Sequence, residues 1–346
     1  MSKHITVRSK KLPFSFHIPI RGVVVAIALM ICSLALIVIS NSVGSMHIPL
    51  ADVVHILLGG EDEMNGFVIM ELRLPRTIVA FLVGAALAVA GSILQGVIRN
   101  PLAAPELLGV TGGASVGAIG FMTLTAGEYS INWLPVVAIC GAFIAAALNY
   151  VLAWKKGVSP YRLVLVGIGI STGMGALTTF LLVYGPAHLA EQVISWLSGT
   201  VYGTTLDHMY AMAPWICILI PVACFMARHL NVQTLGDSVA TGVGNPVEKS
   251  RFILLLFCVA LSGAAVGIAG GISFIGLMAP HMARKLVGPM HGMLLPTSAF
   301  LGGIIMILAD LAGRLIFQPH DLPAGIFTAG IGAPFFLYLL YTSRHK

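Results

Sequence analysis

Residues 229–251 read HLNVQTLGDSVATGVGNPVEKSR, and the rest of the chain is organised around this stretch. It is the longest polar interruption in an otherwise apolar sequence, and it sits between two greasy runs of helical length. Gly236, Gly242 and Gly244 punctuate it, Asp237 is a residue type that caps helix starts, and Pro246 blocks continuation past Asn245. The run from Asp237 to Val243 is long enough for a turn or two of helix outside a bilayer. A connection between two helices needs only a handful of residues. The length therefore predicts a docking element through which another subunit pushes on the helices, with an ordinary connecting loop as the alternative.

The composition sets the class. Of 346 residues, 58% are hydrophobic and 9% charged, with a mean hydropathy of +0.95. A soluble domain carries about a quarter charged residues. The apolar runs are about 20 residues long and do not alternate, so lipid-exposed helices are expected rather than a barrel. The 39 glycines suit close helix packing. The basic residues are scattered between apolar spans, which speaks for membrane topology and against nucleic acid. The five cysteines (32, 140, 217, 224, 258) form no CxxC and are expected to be small core residues. Residues 1–21 form a basic N-terminus ahead of a first span at 22–40. Residues 22–346 are expected to form one polytopic domain.

Spans are predicted near 22–40, 76–97, 107–125, 132–153, 161–184, 210–227, 251–269, 271–282, 294–318 and 325–341. Ten crossings, the eighth of them short, place all but three of the 19 Lys and Arg on the cytoplasmic side. Lys3, Lys10, Lys11, Lys156, Arg344 and Lys346 belong to that inner set. Both termini and the 229–251 segment are then cytoplasmic. Residues 48–60 and 188–208 are expected to hold short surface helices, and Trp133, Trp154 and Trp215 to sit at membrane interfaces.

No catalytic constellation is visible: there is no HExxH, no nucleophile elbow and no Gly-Lys pair for a phosphate-binding loop. No metal site or cofactor is expected, and any ATP must be bound by another chain. The exceptions to the charge rule are informative. Arg73 and Arg76, in ELRLPR, stand where a span enters from outside, and Arg314 closes another. Guanidinium groups suit carboxylates, so these three are expected to grip acidic side chains of an external delivery protein, or else lipid phosphates. Asp310 and Arg314, four apart on one helix, are expected to form a structural ion pair. In the turn 99–117, Asn100 before Pro101 reads as a helix start. There Gly109, Gly112, Gly113 and Gly117 either border a pathway or allow close packing.

LRLPRTIVAFLVGAALAVAGSILQGVIRNPLAAPELLGVTGGASVGA (72–118), LGDSVATGVG (235–244), GGISFIGLMAPHMAR (270–284) and ADLAGRLIFQPHDLPAGIFTAGIGAP (309–334) resemble the iron-siderophore and vitamin B12 permeases (FecCD-type) of bacterial ABC importers. The similarity runs over nearly the whole chain after residue 50, with the motifs in order. It implies an all-α permease of about ten transmembrane helices with the type II importer architecture, in the bacterial cytoplasmic membrane. It also implies a second permease subunit, two cytoplasmic ATPase subunits and an extracytoplasmic substrate-binding protein. Arg73, Arg76 and Arg314 match arginines that face the binding protein. Gly236, Asp237, Ala240, Gly242 and Gly244 match the ATPase-contacting helix. The endings 309–328 and 196–203 look closest to the ferric-siderophore members, with vitamin B12 or haem as the alternative cargo. A cavity between two permeases, walled partly by the 161–184 span (Gly167, Gly169, Thr172, Gly173) together with Gly109 and Gly113, would serve as the pathway. An ion-coupled carrier, the reading from a different class, would need several intramembrane carboxylates, and chiefly Asp310 is present.

Overall fold

A computed structural model describes residues 4–8, 15–44, 46–125, 129–130, 133–155 and 157–343. Lys3, Lys10, Lys11, Lys156, Arg344 and Lys346 lie outside these residues. A short antiparallel hairpin, β1 (His4–Arg8) and β2 (Ser15–Pro19), precedes the helices and is a small departure from an all-helical expectation.

The helices follow as α1 (Ile20–Ser42), α2 (Leu50–Leu57), α3 (Glu63–Phe67), α4 (Leu74–Ile98), α5 (Val110–Thr125), α6 (Leu134–Ala153), α7 (Pro160–Tyr184) and α8 (Ala190–Leu197). Then come α9 (Leu206–Phe225), α10 (Ala227–Gln233), α11 (Asp237–Gly242), α12 (Val247–Ala269), α13 (Ile275–Val287), α14 (His291–Ile316) and α15 (Ala324–Ser343). Among the described residues, eight helices are long and apolar enough to cross a membrane, and the shorter α5 and α13 pack among them. These ten correspond to the ten expected spans. Gly270, at φ +70, ends α12 where two crossings had to be separated.

The interior belongs to α4, α12 and α14. In α4, 83% of the most apolar stretch is buried, against 11% in α1. In lipid, little hydrophobic force separates one apolar partner from another, so close approach of backbones decides which helices meet. Gly84 and Gly302 supply it at the α4–α14 crossing, where a Cβ on either would run into the other's carbonyl oxygen. Gly91 does the same against Gly276 of α13. α4 and α12 form a seam: α5, α6 and α7 pack on one side of it, and α1, α13, α14 and α15 on the other.

Three expectations need correction. Asn100 does not start a helix; its Oδ1 accepts the Leu102 N–H at 2.9 Å in a turn, and α4 ends on Arg99 in the left-handed region (φ +58). Trp215 falls midway along α9, about 14 Å from either helix end at 1.5 Å per residue, and so marks no interface. Cys32, Cys140 and Cys217 are exposed on the outside of the bundle, where lipid tolerates a small thiol, and only Cys258 is buried in the core.

Candidate functional sites at the two ends of helix α4

α4 has 25 residues, which at 1.5 Å per residue spans roughly the thickness of a membrane. Each of its ends carries a charged assembly. At the start, a π-helical turn (Val68–Arg73) runs without a break into Leu74–Pro75, and Pro75, which has no N–H to donate, sits just past that wider turn. This places Arg73 and Arg76 at one end of the bundle beside Arg314 of α14.

All three guanidinium groups turn inward. Arg73 donates from Nη1 to the Asn41 carbonyl (2.8 Å) and from Nη2 to the Met46 carbonyl (2.6 Å), stapling the α1–α2 turn. Arg76 donates to Asp310 from Nε (2.9 Å) and Nη2 (2.7 Å), and to Asp321 from Nη1 (2.6 Å) and Nη2 (2.8 Å). The Tyr202 ring lies 5.4 Å from its central carbon. Arg314 donates to Ser40 Oγ (2.7 Å), and its Nε lies 3.2 Å from Asp310 Oδ2. Asp310 thus has Arg314 beside it, as the four-residue spacing suggests, but its forked partner is Arg76, 234 positions away. Arg73 and Arg76 are only 8% and 9% exposed. Guanidiniums projecting freely outward are therefore not what the chain presents; the cluster is a buried lattice of three cations and two carboxylates. Sequence reasoning missed Asp321 and Tyr202. Asp321 sits in the quoted QPHDLP run, but no spacing ties it to Arg76.

At the far end of α4, Arg99 meets the stretch 229–251. α10 and α11 form a corner there. Gly236, at φ +103, turns the chain into α11, so Asp237 is the first helical residue and not the cap. Gly244, at φ +81, turns it out again. Ala240 is fully buried beneath the corner, whereas Leu235 before α11, Val239 within it and Val243 after it are exposed apolar side chains. Gly242 has open space where a Cβ would stand. The corner is fastened by His229 Nδ1 to Asn245 Oδ1 (2.6 Å) and by Asp237 Oδ1, which accepts from Arg251 Nη2 (2.8 Å) and lies 3.5 Å from Arg99 Nη2.

The candidate pathway glycines divide in two. Gly113 packs on the Gly141 carbonyl of α6, Gly167 packs on the Leu107 carbonyl, and Gly109 turns the chain at φ +81 against Ile170. These three serve as packing and turning positions, which for Gly109 and Gly113 is the close-packing alternative. Gly169, Thr172 and Gly173 instead lie on an exposed face of α7, and both glycines have open space where a Cβ would stand.

Comparison with known proteins gives a consistent answer. A model of the FecCD transport family matches residues 29–342. The chain is 42% identical to a Bacillus subtilis protein named "Probable siderophore transport system permease protein", with 93% of this chain and 96% of that one covered. It is 43% identical to the achromobactin transport system permease protein of Dickeya dadantii, with coverage of 93% and 92%. A solved inward-facing structure assigned to the metal-chelate type of ABC transporter superposes with a TM-score of 0.83 at 28% identity, over 92% of this chain and 99% of that one.

Proposed function

The chain belongs to the FecCD transport family, and from that premise we propose that it is the permease subunit of an ATP-binding-cassette importer that moves a ferric siderophore across the bacterial cytoplasmic membrane. The observation that carries this reading is the 42% identity, over 93% of the chain, to a protein named "Probable siderophore transport system permease protein". The subunit works beside a second permease, either a copy or a paralogue. Two ATPase subunits engage the α10–α11 corner from the cytoplasm, where both termini also lie, and a substrate-binding protein docks at the opposite end.

The mechanism is alternating access. The exposed side chains of Leu235, Val239 and Val243 offer an apolar seat to a neighbour, and ATP-driven closure of the motor pair moves that seat. At the other end, where acidic residues outnumber the arginines, the cluster itself holds three guanidiniums against two carboxylates, and this local excess favours acidic side chains of a partner. The small exposed face of α7, with Gly169, Thr172 and Gly173, provides one wall of a conduit between two permeases. Cargo selection rests with the binding protein, so the wall itself can be undemanding.

Uptake of radiolabelled iron with a panel of siderophores, in a strain deleted for this gene and complemented with it, tests the reading. ATP-dependent uptake of one ferric siderophore is the expected result. Uptake of vitamin B12 or haem would reassign the cargo. Uptake by the purified single chain under a proton gradient alone would overturn the importer.

A further inference from the structure

The corner helix α11 has six residues and buries one side chain, Ala240. So small an element, resting on so little packing, is a poor lever unless something fixes it to the helices it is to move. Among the described residues, Arg251 of α12 places a buried charge at the base of α11: its side chain is 2% exposed, while its carboxylate partners Asp237 and Glu248 are 43% and 50% exposed. Nη2 of Arg251 donates to Asp237 Oδ1 at 2.8 Å, and Nη1 donates to the Val158 carbonyl at 2.6 Å. Glu248 closes the loop by accepting the Val158 N–H at 3.3 Å. Val158 is next to Ser159, the residue that caps α7. One planar guanidinium therefore bridges the first residue of the corner helix and the last loop residues before α7.

We propose that Arg251 is a positioning residue that makes α11 and the start of α7 move as one body, so that force on the corner is delivered to the helix with the open, small-residue face. The physical reason is the asymmetry of exposure. If α11 shifted without residues 157–159, the buried Arg251 would lose its 2.8 Å contact with Asp237 or its bond to the Val158 carbonyl and keep only the longer Glu248 contact at 3.4 Å, and burying a charge with fewer partners is costly. The planar fork also fixes the angle between its two partners, which a flexible ammonium would not. Arg99, in its left-handed conformation at the end of α4, lies 3.5 Å from the same Asp237 oxygen, a longer and more exposed contact than that of Arg251.

This inference rests on the importer reading, and the experiment separates the two. In the full complex with its ATPase subunits, Arg251→Gln lowers the cargo moved per ATP hydrolysed by roughly fivefold or more, the scale of an ordinary coupling free energy. Arg251→Lys, which keeps the charge but loses the fork, falls between wild type and Arg251→Gln. A second measurement needs no Arg251 variant to fold. Spin labels at Thr241→Cys and Tyr161→Cys, both exposed positions, keep a constant separation in the wild-type complex with and without ATP. A separation that changes between the two states, in a complex that transports, overturns the rigid link. So does an Arg251→Gln complex with wild-type cargo per ATP. A wild-type complex that hydrolyses ATP without moving any chelate would instead overturn the importer reading.

Discussion

Arg76 and Asp310 lie 234 positions apart in the chain and form a two-pronged ion pair at 2.7 and 2.9 Å, joining the start of α4 to the last turns of α14. Asp310 is 3% exposed and serves a second cation, Arg314. Removing it leaves buried Arg314 without a carboxylate and Arg76 with Asp321 alone. Asp310→Ala is therefore expected to destabilise the folded protein by about 3–5 kcal/mol, the usual cost of breaking a buried pair. Thermal unfolding in detergent measures it, and a change under about 1 kcal/mol would mean that solvent or lipid reaches the cluster.

Asp321 occupies the same arginine from the solvent side, with its side chain 28% exposed. Asp321→Ala leaves Arg76 held by Asp310 and makes that otherwise acidic end less negative by one charge. Affinity for the acidic docking partner should rise by several-fold, most visibly at low salt. Reversing charge at Arg73 and Arg76 together should weaken docking. It should also loosen the α1–α2 turn that Arg73 staples, so melting temperature and docking must be read side by side.

Small residues give a paired test of packing. Gly84→Ala drives a methyl into the Gly302 carbonyl and should cost about 1–3 kcal/mol, as overpacking does. Gly173→Ala meets open space on α7 and should stabilise the helix by up to about 1 kcal/mol. If Gly173→Ala nevertheless slows uptake, the exposed face is in use.

Replacing Leu235, Val239 and Val243 together by serine removes exposed apolar surface and no internal contact of note. Folding should be unaffected, whereas association with the ATPase subunits should weaken by on the order of 100-fold or more if these residues are interface anchors. Co-purification of the subunits reads this directly, and retained assembly would move the motor's seat elsewhere.

Much of this architecture is legible in the chain because lipid imposes a simple rule: long apolar runs become helices, and breaks in them become ends. Gly270 could be read as a break, and the 229–251 stretch as a corner, for that reason. What the chain does not announce is direction around a helix axis. Gly167 and Gly169 look alike in sequence, yet one packs on the Leu107 carbonyl and the other faces open space. The same holds for the arginines. Their position at a helix entrance follows from charge placement, but their inward turn depends on Asp310, Asp321 and two backbone carbonyls supplied by distant segments. In the sequence Arg251 is one inner-face cation among many; what distinguishes it is the Val158 carbonyl, 93 positions away.

The buried seam of α4 and α12 has a bearing on how safely a cell can make this chain. Packing this close along the seam should give protons and sodium no route through a single subunit, so surplus copies should leave the membrane potential intact. Leakage, if it ever occurs, would start where two such walls meet imperfectly.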